Sequence, residues 1–206
     1  MTDRDLVRLY WPVELRPAFD ALFGIDDALS DVVTSSTQPA LGAIRLAWWR
    51  EALERLDNAT PPPEPRLQTA AHELVARGIG GKALAALEDG WSTLLDEGPD
   101  VNRIARRGAL LFEIAAKILG GADPKLEAAG RLFALQQVAR KGLLTCSSAP
   151  GELQLVTGHR FPRRLRPLTA LARLAARDAR SPVIEGEATP GRAAALLSHR
   201  LFGTVA

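Results

Sequence analysis

Residues 15–56, LRPAFDALFGIDDALSDVVTSSTQPALGAIRLAWWREALERL, decide how this chain folds. Read as a helix over 14–33, the first part sets Leu15, Phe19, Leu22, Leu29 and Val33 on one apolar stripe. The missing member of that stripe is position 26, where Asp26 stands in place of a leucine. A carboxylate on a core-facing stripe costs several kcal/mol unless it is ion-paired, hydrogen-bonded, metal-bound or wet. Asp26 therefore suggests a polar cavity inside a helix bundle. The other reading puts Asp26 at the edge of the stripe, in reach of water, with Asp27 and Asp31 on a solvated face. The second part is a helix built around Trp48, Trp49 and Arg50. Neighbours on a helix point about 100° apart, so one indole belongs in the core and the other lines a cavity or a partner site.

Outward from this stretch the chain reads as helix throughout. Helical segments are predicted over 14–33, 40–57, 66–77, 81–96, 101–119, 124–146, 163–179 and 189–202. Pro39, Pro61-Pro62-Pro63, Gly78, Gly80, Gly81 and Gly120-Gly121 punctuate them, and Pro124 is read as the opening residue of the sixth. No window alternates in the manner of a strand. Residues 147–162 are read as the one long connection, and 181–188 as a second polar break. In segment 101–119, Gly108 and Ala115 share a face with Ile104, Leu111 and Ile118, which suits close helix packing. Segment 163–179 sets Leu165, Leu168, Leu171, Ala172 and Ala175 on one side with arginines around the rest. Docking on the bundle is the ordinary fate of such a helix, and a membrane surface is the alternative.

Composition narrows the classes. A chain of 206 residues suits one domain over 1–206, with enough length to bury a sizeable core. No apolar run approaches the roughly 20 residues of a membrane span. The acidic, polar N-terminus predicts no signal peptide. Cys146 is the single cysteine, which rules out an intrachain disulfide and suits a reducing compartment. His72, His159 and His199 have no metal-ligand spacing, and no phosphate-binding glycine signature occurs. Residues 1–130 carry 14 basic and 20 acidic side chains, and residues 131–206 carry 12 and 4. The basic part is mostly arginine: Arg160, Arg163, Arg164, Arg166, Arg173, Arg177 and Arg180. It suits an anionic membrane surface or a diphosphate, or else a solvated face paired with the acidic part of the same chain. Few aromatics interleave, which argues against nucleic acid.

Six stretches together resemble the squalene/phytoene synthase family of magnesium-dependent head-to-head prenyltransferases. ALFGIDDALSD at 21–31 resembles its first aspartate-rich motif, DDxxD, and LAWWREAL at 46–53 its LxWW/LxxWR signature. LEDGWSTLLD at 87–96, RRGALLFEIAAKILGG at 106–121, RLFALQQVAR at 131–140 and FPRRLRPLTALARLAARDAR at 161–180 are similar to successive later helices. The likeness covers about residues 8–180. It implies a single all-α domain, a helical bundle of the squalene/phytoene synthase (isoprenoid synthase) type.

The resemblance also implies a site. Asp26, Asp27 and Asp31 stand where the first motif carries catalysis, and Asp26 and Asp27 where it would hold Mg²⁺. Trp49, Arg50, Arg107 and Gln136 fall on the substrate-binding side. Two features depart from the pattern. The fifth position of DDxxD is Ser30, and Asp31 comes one residue late, on the face of Asp27. At the second motif the chain reads LQQVARKGLLTCS, residues 135–147, and no aspartate occurs between Asp123 and Asp178. Mg²⁺ bridges carboxylate oxygens to substrate phosphates, so one wall of ligands does not make the usual cluster. The implied function is that of a divergent member with lost or impaired prenyl transfer. It would act in isoprenoid- or lipid-linked metabolism or, like one branch of the family, in respiratory complex I assembly. The implied place is the cytoplasm, peripherally on the inner membrane. A prenyl diphosphate or other isoprenoid, an anionic membrane and a protein partner are the ligands to expect. An active Mg²⁺-dependent prenyltransferase and one subunit of a heteromeric synthase are the alternatives.

Overall fold

In a computed structural model that describes residues 1–144, 150–181 and 183–205, the chain is all-α. Among these residues the β structure is one isolated bridge, between Arg160 and Thr204. The helices are α1 (Asp3–Arg8), α2 (Arg16–Ser35), α3 (Pro39–Arg55), α4 (Pro65–Glu73), α5 (Gly81–Ala85), α6 (Asp89–Ser92), α7 (Val101–Leu119), α8 (Leu126–Arg140), α9 (Pro150–Val156), α10 (Arg166–Ala179) and α11 (Pro190–Phe202). They gather into two compact units, Arg16–Arg107 and Met1–Leu15 with Gly108–Ala206, and the division falls inside α7.

Most elements follow from local chemistry. The Glu64 carboxylate accepts from the Leu67 N–H ahead of α4 and the Thr189 hydroxyl from the Arg192 N–H ahead of α11, each with a proline in the first turn. Helix α1 lies where no helix is read from the sequence. Its signal is a capping box in which Thr2 and Asp5 exchange side-chain and backbone hydrogen bonds, with aspartate in the glutamate position. Helix α9 likewise interrupts the connection expected over 147–162.

Three expected helices are shorter than their periodicity. α8 begins at Leu126, two residues after Pro124, and stops at Arg140 rather than 146. There Gly142 adopts φ 73°, and the Leu143 N–H donates to the Val138 carbonyl, which closes the helix end. The Lys-Gly pair at 141–142 was the available signal. Segment 81–96 breaks into α5, α6 and a 3-10 turn at Thr93–Leu95. The Ser92 hydroxyl donates to the Asp89 carbonyl, Thr93 Oγ1 accepts from the Asp100 N–H, and Gly90 weakens the helix between them. Segment 66–77 ends its α-helix at Glu73 and closes as a 3-10 turn against Gly78. The Cys146 position lies outside the described residues.

In the unit Arg16–Arg107, α2 packs on α3, α4 and α6, and α3 packs on α5 and α6. Phe19, Leu22, Leu29 and Val33 are buried, as the stripe predicts, and Leu15 is half-buried. In the other unit α10 is central, packed on α1, α8, α9 and α11. Leu165, Leu168, Leu171, Ala172 and Ala175 are all buried there, so the apolar side of α10 is used within the fold. The small residue Gly108 marks a helix crossing. A Cβ there would lie 2.1 Å from the Gly130 carbonyl oxygen, and one on Gly130 would lie 2.3 Å from that of Gly108. Two backbones in contact leave no room for any side chain.

Candidate functional site: a buried aspartate and its partners

Asp26 is fully buried on α2, which removes the reading that it reaches water. Its Oδ1 accepts two hydrogen bonds, one from Trp91 Nε1 at 2.8 Å and one from an Arg107 guanidinium nitrogen at 2.5 Å. Arg107 is also buried, and its Cζ lies 4.0 Å from the centre of the Trp91 ring. The three side chains form a closed set: carboxylate to guanidinium, carboxylate to indole N–H, guanidinium to indole face.

Sequence explains how the set assembles. Asp89-Gly90-Trp91 makes α6 thin on the side that meets α7. A Cβ on Gly90 would lie 2.4 Å from Arg107 Cβ and 2.8 Å from the Arg103 carbonyl oxygen, so only glycine lets the helices approach. Outside, Arg103 bonds the Asp89 carboxylate at 2.8 Å and the Ser92 hydroxyl at 3.0 Å, and fixes the register. Trp91 therefore projects beside Arg107. No motif marked Trp91 in advance, although the aspartate on the apolar stripe signalled that some buried donor must face it.

Asp27 is half-buried beside Asp26 on α2, and Asp31 is exposed, with its Oδ2 3.1 Å from Arg66. Ser30, one helical turn beyond Asp26, shares its buried face, and its Oγ is without a hydrogen-bond partner among the described residues. Trp49 is buried while Trp48 is 47% exposed, and the two rings meet edge to face with centres 5.4 Å apart. Arg50 is exposed and reaches Glu88 at 3.8 Å. Burial pushes the Glu88 carboxyl up, and the Arg50 charge partly counters it. Gln136 lies buried on α8 in the other unit, with its Oε1 lacking a partner among the described residues. The structure thus brings Asp26 and Arg107 together and pairs Asp31 with Arg66 and Arg50 with Glu88.

These residues do not fit a magnesium–diphosphate cluster. The first carboxylate is engaged by a guanidinium, the fifth motif position is a hydroxyl, and Asp31 turns to Arg66. Among the described residues no three His, Cys, Asp or Glu side chains are grouped to hold a metal ion. A cation entering beside Asp26 would meet the Arg107 charge at close range in a low-dielectric interior.

Several arginines of the basic half bond backbone carbonyls within the fold. Arg164 donates to the Gly120 carbonyl just past α7, Arg160 to Phe202, and Arg166 to Arg200 and Leu201, the last two pairs closing α11. Arg173 donates to Val205. They satisfy carbonyls that helix ends and the chain terminus leave open, where positive charge also suits the helix dipole. Among the described residues their pairing with the acidic part is limited to Arg192 with Asp3 and Arg131 with Glu127. Among the described residues no helix is long and apolar enough to cross a membrane.

Comparison of the chain with protein-family models, with curated proteins and with solved structures gave no match.

Proposed function

We propose that this chain is a non-catalytic helical protein related to the squalene/phytoene synthases. In this reading it has given up head-to-head prenyl transfer and works as a binding or assembly protein in isoprenoid- or lipid-linked metabolism, including assembly of a respiratory complex. The observation that carries the proposal is the engagement of Asp26 by Arg107 and Trp91. For Asp26 to ligate Mg²⁺, Arg107 would have to leave its carboxylate. A buried guanidinium without its partner is destabilising by about 3–5 kcal/mol. Mg²⁺ also holds its waters and requires near-octahedral oxygens, which one carboxylate does not offer. The stripe position that prenyl transfer would use for chemistry is here a structural ion pair.

The experiment incubates the full-length protein with farnesyl or geranylgeranyl diphosphate, Mg²⁺ and NADPH and measures diphosphate release. The expected result is release at the level of a no-protein control. Release above that level which falls in Asp27→Asn or Asp31→Asn overturns the proposal. Those two positions are half-buried and exposed, so the variants remain folded. A second readout needs no turnover: millimolar Mg²⁺ should leave the melting temperature unchanged. A bound cation at a hundredfold excess over its Kd would contribute about 2.7 kcal/mol, an easily visible shift.

A further inference from the structure

The unit built around α10 holds a second cluster of buried charge. Arg192 is 1% exposed and binds two carboxylates, Asp3 at 2.7 Å and Asp178 at 2.5 Å. Asp178 also accepts from Arg140 at 3.0 Å. Beside Asp178 opens a recess of about 380 Å³, lined by Arg173, Arg177, Asp178, Arg180, Ser181 and Glu185. Clefts that take small ligands run from about 300 to 1,000 Å³, so this one suits a small occupant.

Both acids of the recess are already engaged. Asp178 serves Arg192 and Arg140, and Glu185 accepts from Arg177 at 2.7 Å and from the Thr189 hydroxyl. The Ser181 hydroxyl donates to the Val183 carbonyl at 2.6 Å. The arginines are not matched. Arg173 reaches Val205 through one nitrogen, while its buried Nε has no partner among the described residues. Arg180 makes no side-chain hydrogen bond or ion pair among them. Burial, and then the charges of Arg180 and Arg177, pull the Arg173 guanidinium below its ordinary pKa. Five arginines (140, 173, 177, 180 and 192) stand against three carboxylates (Asp3, Asp178 and Glu185), an excess of two positive charges. The C-terminal end of α10 offsets roughly half a charge of this.

We propose that this recess binds a phosphate group, free or on a small phosphomonoester, with Arg173 and Arg180 as its principal donors. A phosphate dianion matches the charge excess, and its three terminal oxygens accept from planar guanidinium forks. None of these residues belongs to the prenyl-transfer resemblance's site, so this inference stands independently of the proposed function.

The test is a thermal-shift and calorimetric titration of the full-length protein in a phosphate-free buffer at constant ionic strength. The probes are inorganic phosphate, glycerol phosphate and vesicles containing phosphatidic acid, with chloride as the control. The variants are Arg180→Gln, Arg173→Gln and, as a bystander, the exposed Arg163→Gln. The expected result is saturable binding of a phosphate probe, weakened about tenfold or more in Arg180→Gln and Arg173→Gln and unchanged in Arg163→Gln. A response to soluble phosphate identifies a soluble ligand. A response confined to vesicles, and lost in Arg180→Gln, identifies a lipid headgroup in the same recess. No response to any probe beyond chloride, or one that all three variants retain or lose equally, overturns the proposal.

Discussion

Two buried charge clusters of this molecule are built differently. In the unit Arg16–Arg107, the Asp26 carboxylate meets the Arg107 guanidinium and the Trp91 indole N–H, and the guanidinium lies over the indole face. In the other unit Arg192 bridges Asp3 and Asp178, Asp178 passes on to Arg140, and positive charge accumulates toward an open recess. Three side chains that bind one another hold helices in register. A chain of pairs that ends in excess charge has a residual field, and a residual field is what an ion recognises. Of the residues singled out by resemblance to a catalytic motif, Asp26 and Arg107 sit in the first cluster. The arginine-rich half carries the recess.

The contrast can be broken most severely at Arg192. Arg192→Leu leaves two carboxylates facing each other with only Arg140 and the Ala188 N–H between them. The loss of folding stability should reach the upper end of about 3–5 kcal/mol in urea unfolding. A loss under about 1 kcal/mol would mean that the bridge does not hold α1, α10 and α11 together.

Next in size is the closed cluster. Asp26→Leu strands Arg107 in the core and should be destabilising by about 3 kcal/mol, because the Trp91 face remains as partial compensation. The double variant Asp26→Leu, Arg107→Leu removes both charges and should recover most of that loss. If the double variant is no better than the sum of the singles, the two residues are not coupled and the closed-set description fails.

A third buried polar group sharpens the comparison through pH. His199 is 1% exposed; its Nδ1 hydrogen donates to the Thr204 carbonyl at 2.8 Å, and its Nε2 accepts from the Thr169 hydroxyl at 2.9 Å. Burial first, then the charges of Arg173 and Arg166, hold its pKa down at about 4, against an ordinary 6.5. The unfolded chain therefore takes up a proton that the native imidazole refuses. His199 adds no pH dependence above 6.5, and stability falls as the pH drops from 6.5 to 4 and levels off below. The fall should approach about 3 kcal/mol, read as a slope that His199→Gln abolishes. A slope that persists in the variant would assign it to another group.

The smallest effect belongs to the surface. Asp31→Asn breaks an exposed pair with Arg66 and should change stability by less than about 1 kcal/mol. A larger loss would mean that Asp31 takes part in something beyond that contact.

Much of this was legible in the chain. The all-α class follows from periodicity and from glycine and proline punctuation, and α7 has the bounds its pattern predicts, Val101–Leu119. Gly108 on a core-facing stripe suggested a close helix crossing, and the position of Asp26 offered a buried carboxylate as one of two readings, which its burial in the fold decides. These are local facts, set by which residues share a face of a helix. The identity of the partners is not local. Trp91 and Arg107 lie 65 and 81 residues from Asp26, and only the approach of α6 and α7 through Gly90 brings them to it. The same limit governs the arginines: their number can be counted in the sequence, but what they donate to cannot. Tertiary packing decided that Arg160, Arg164 and Arg166 close helix ends. It left Arg173 and Arg180 facing a recess, because hydrogen bonding and neutralisation depend on distances between segments far apart in the chain.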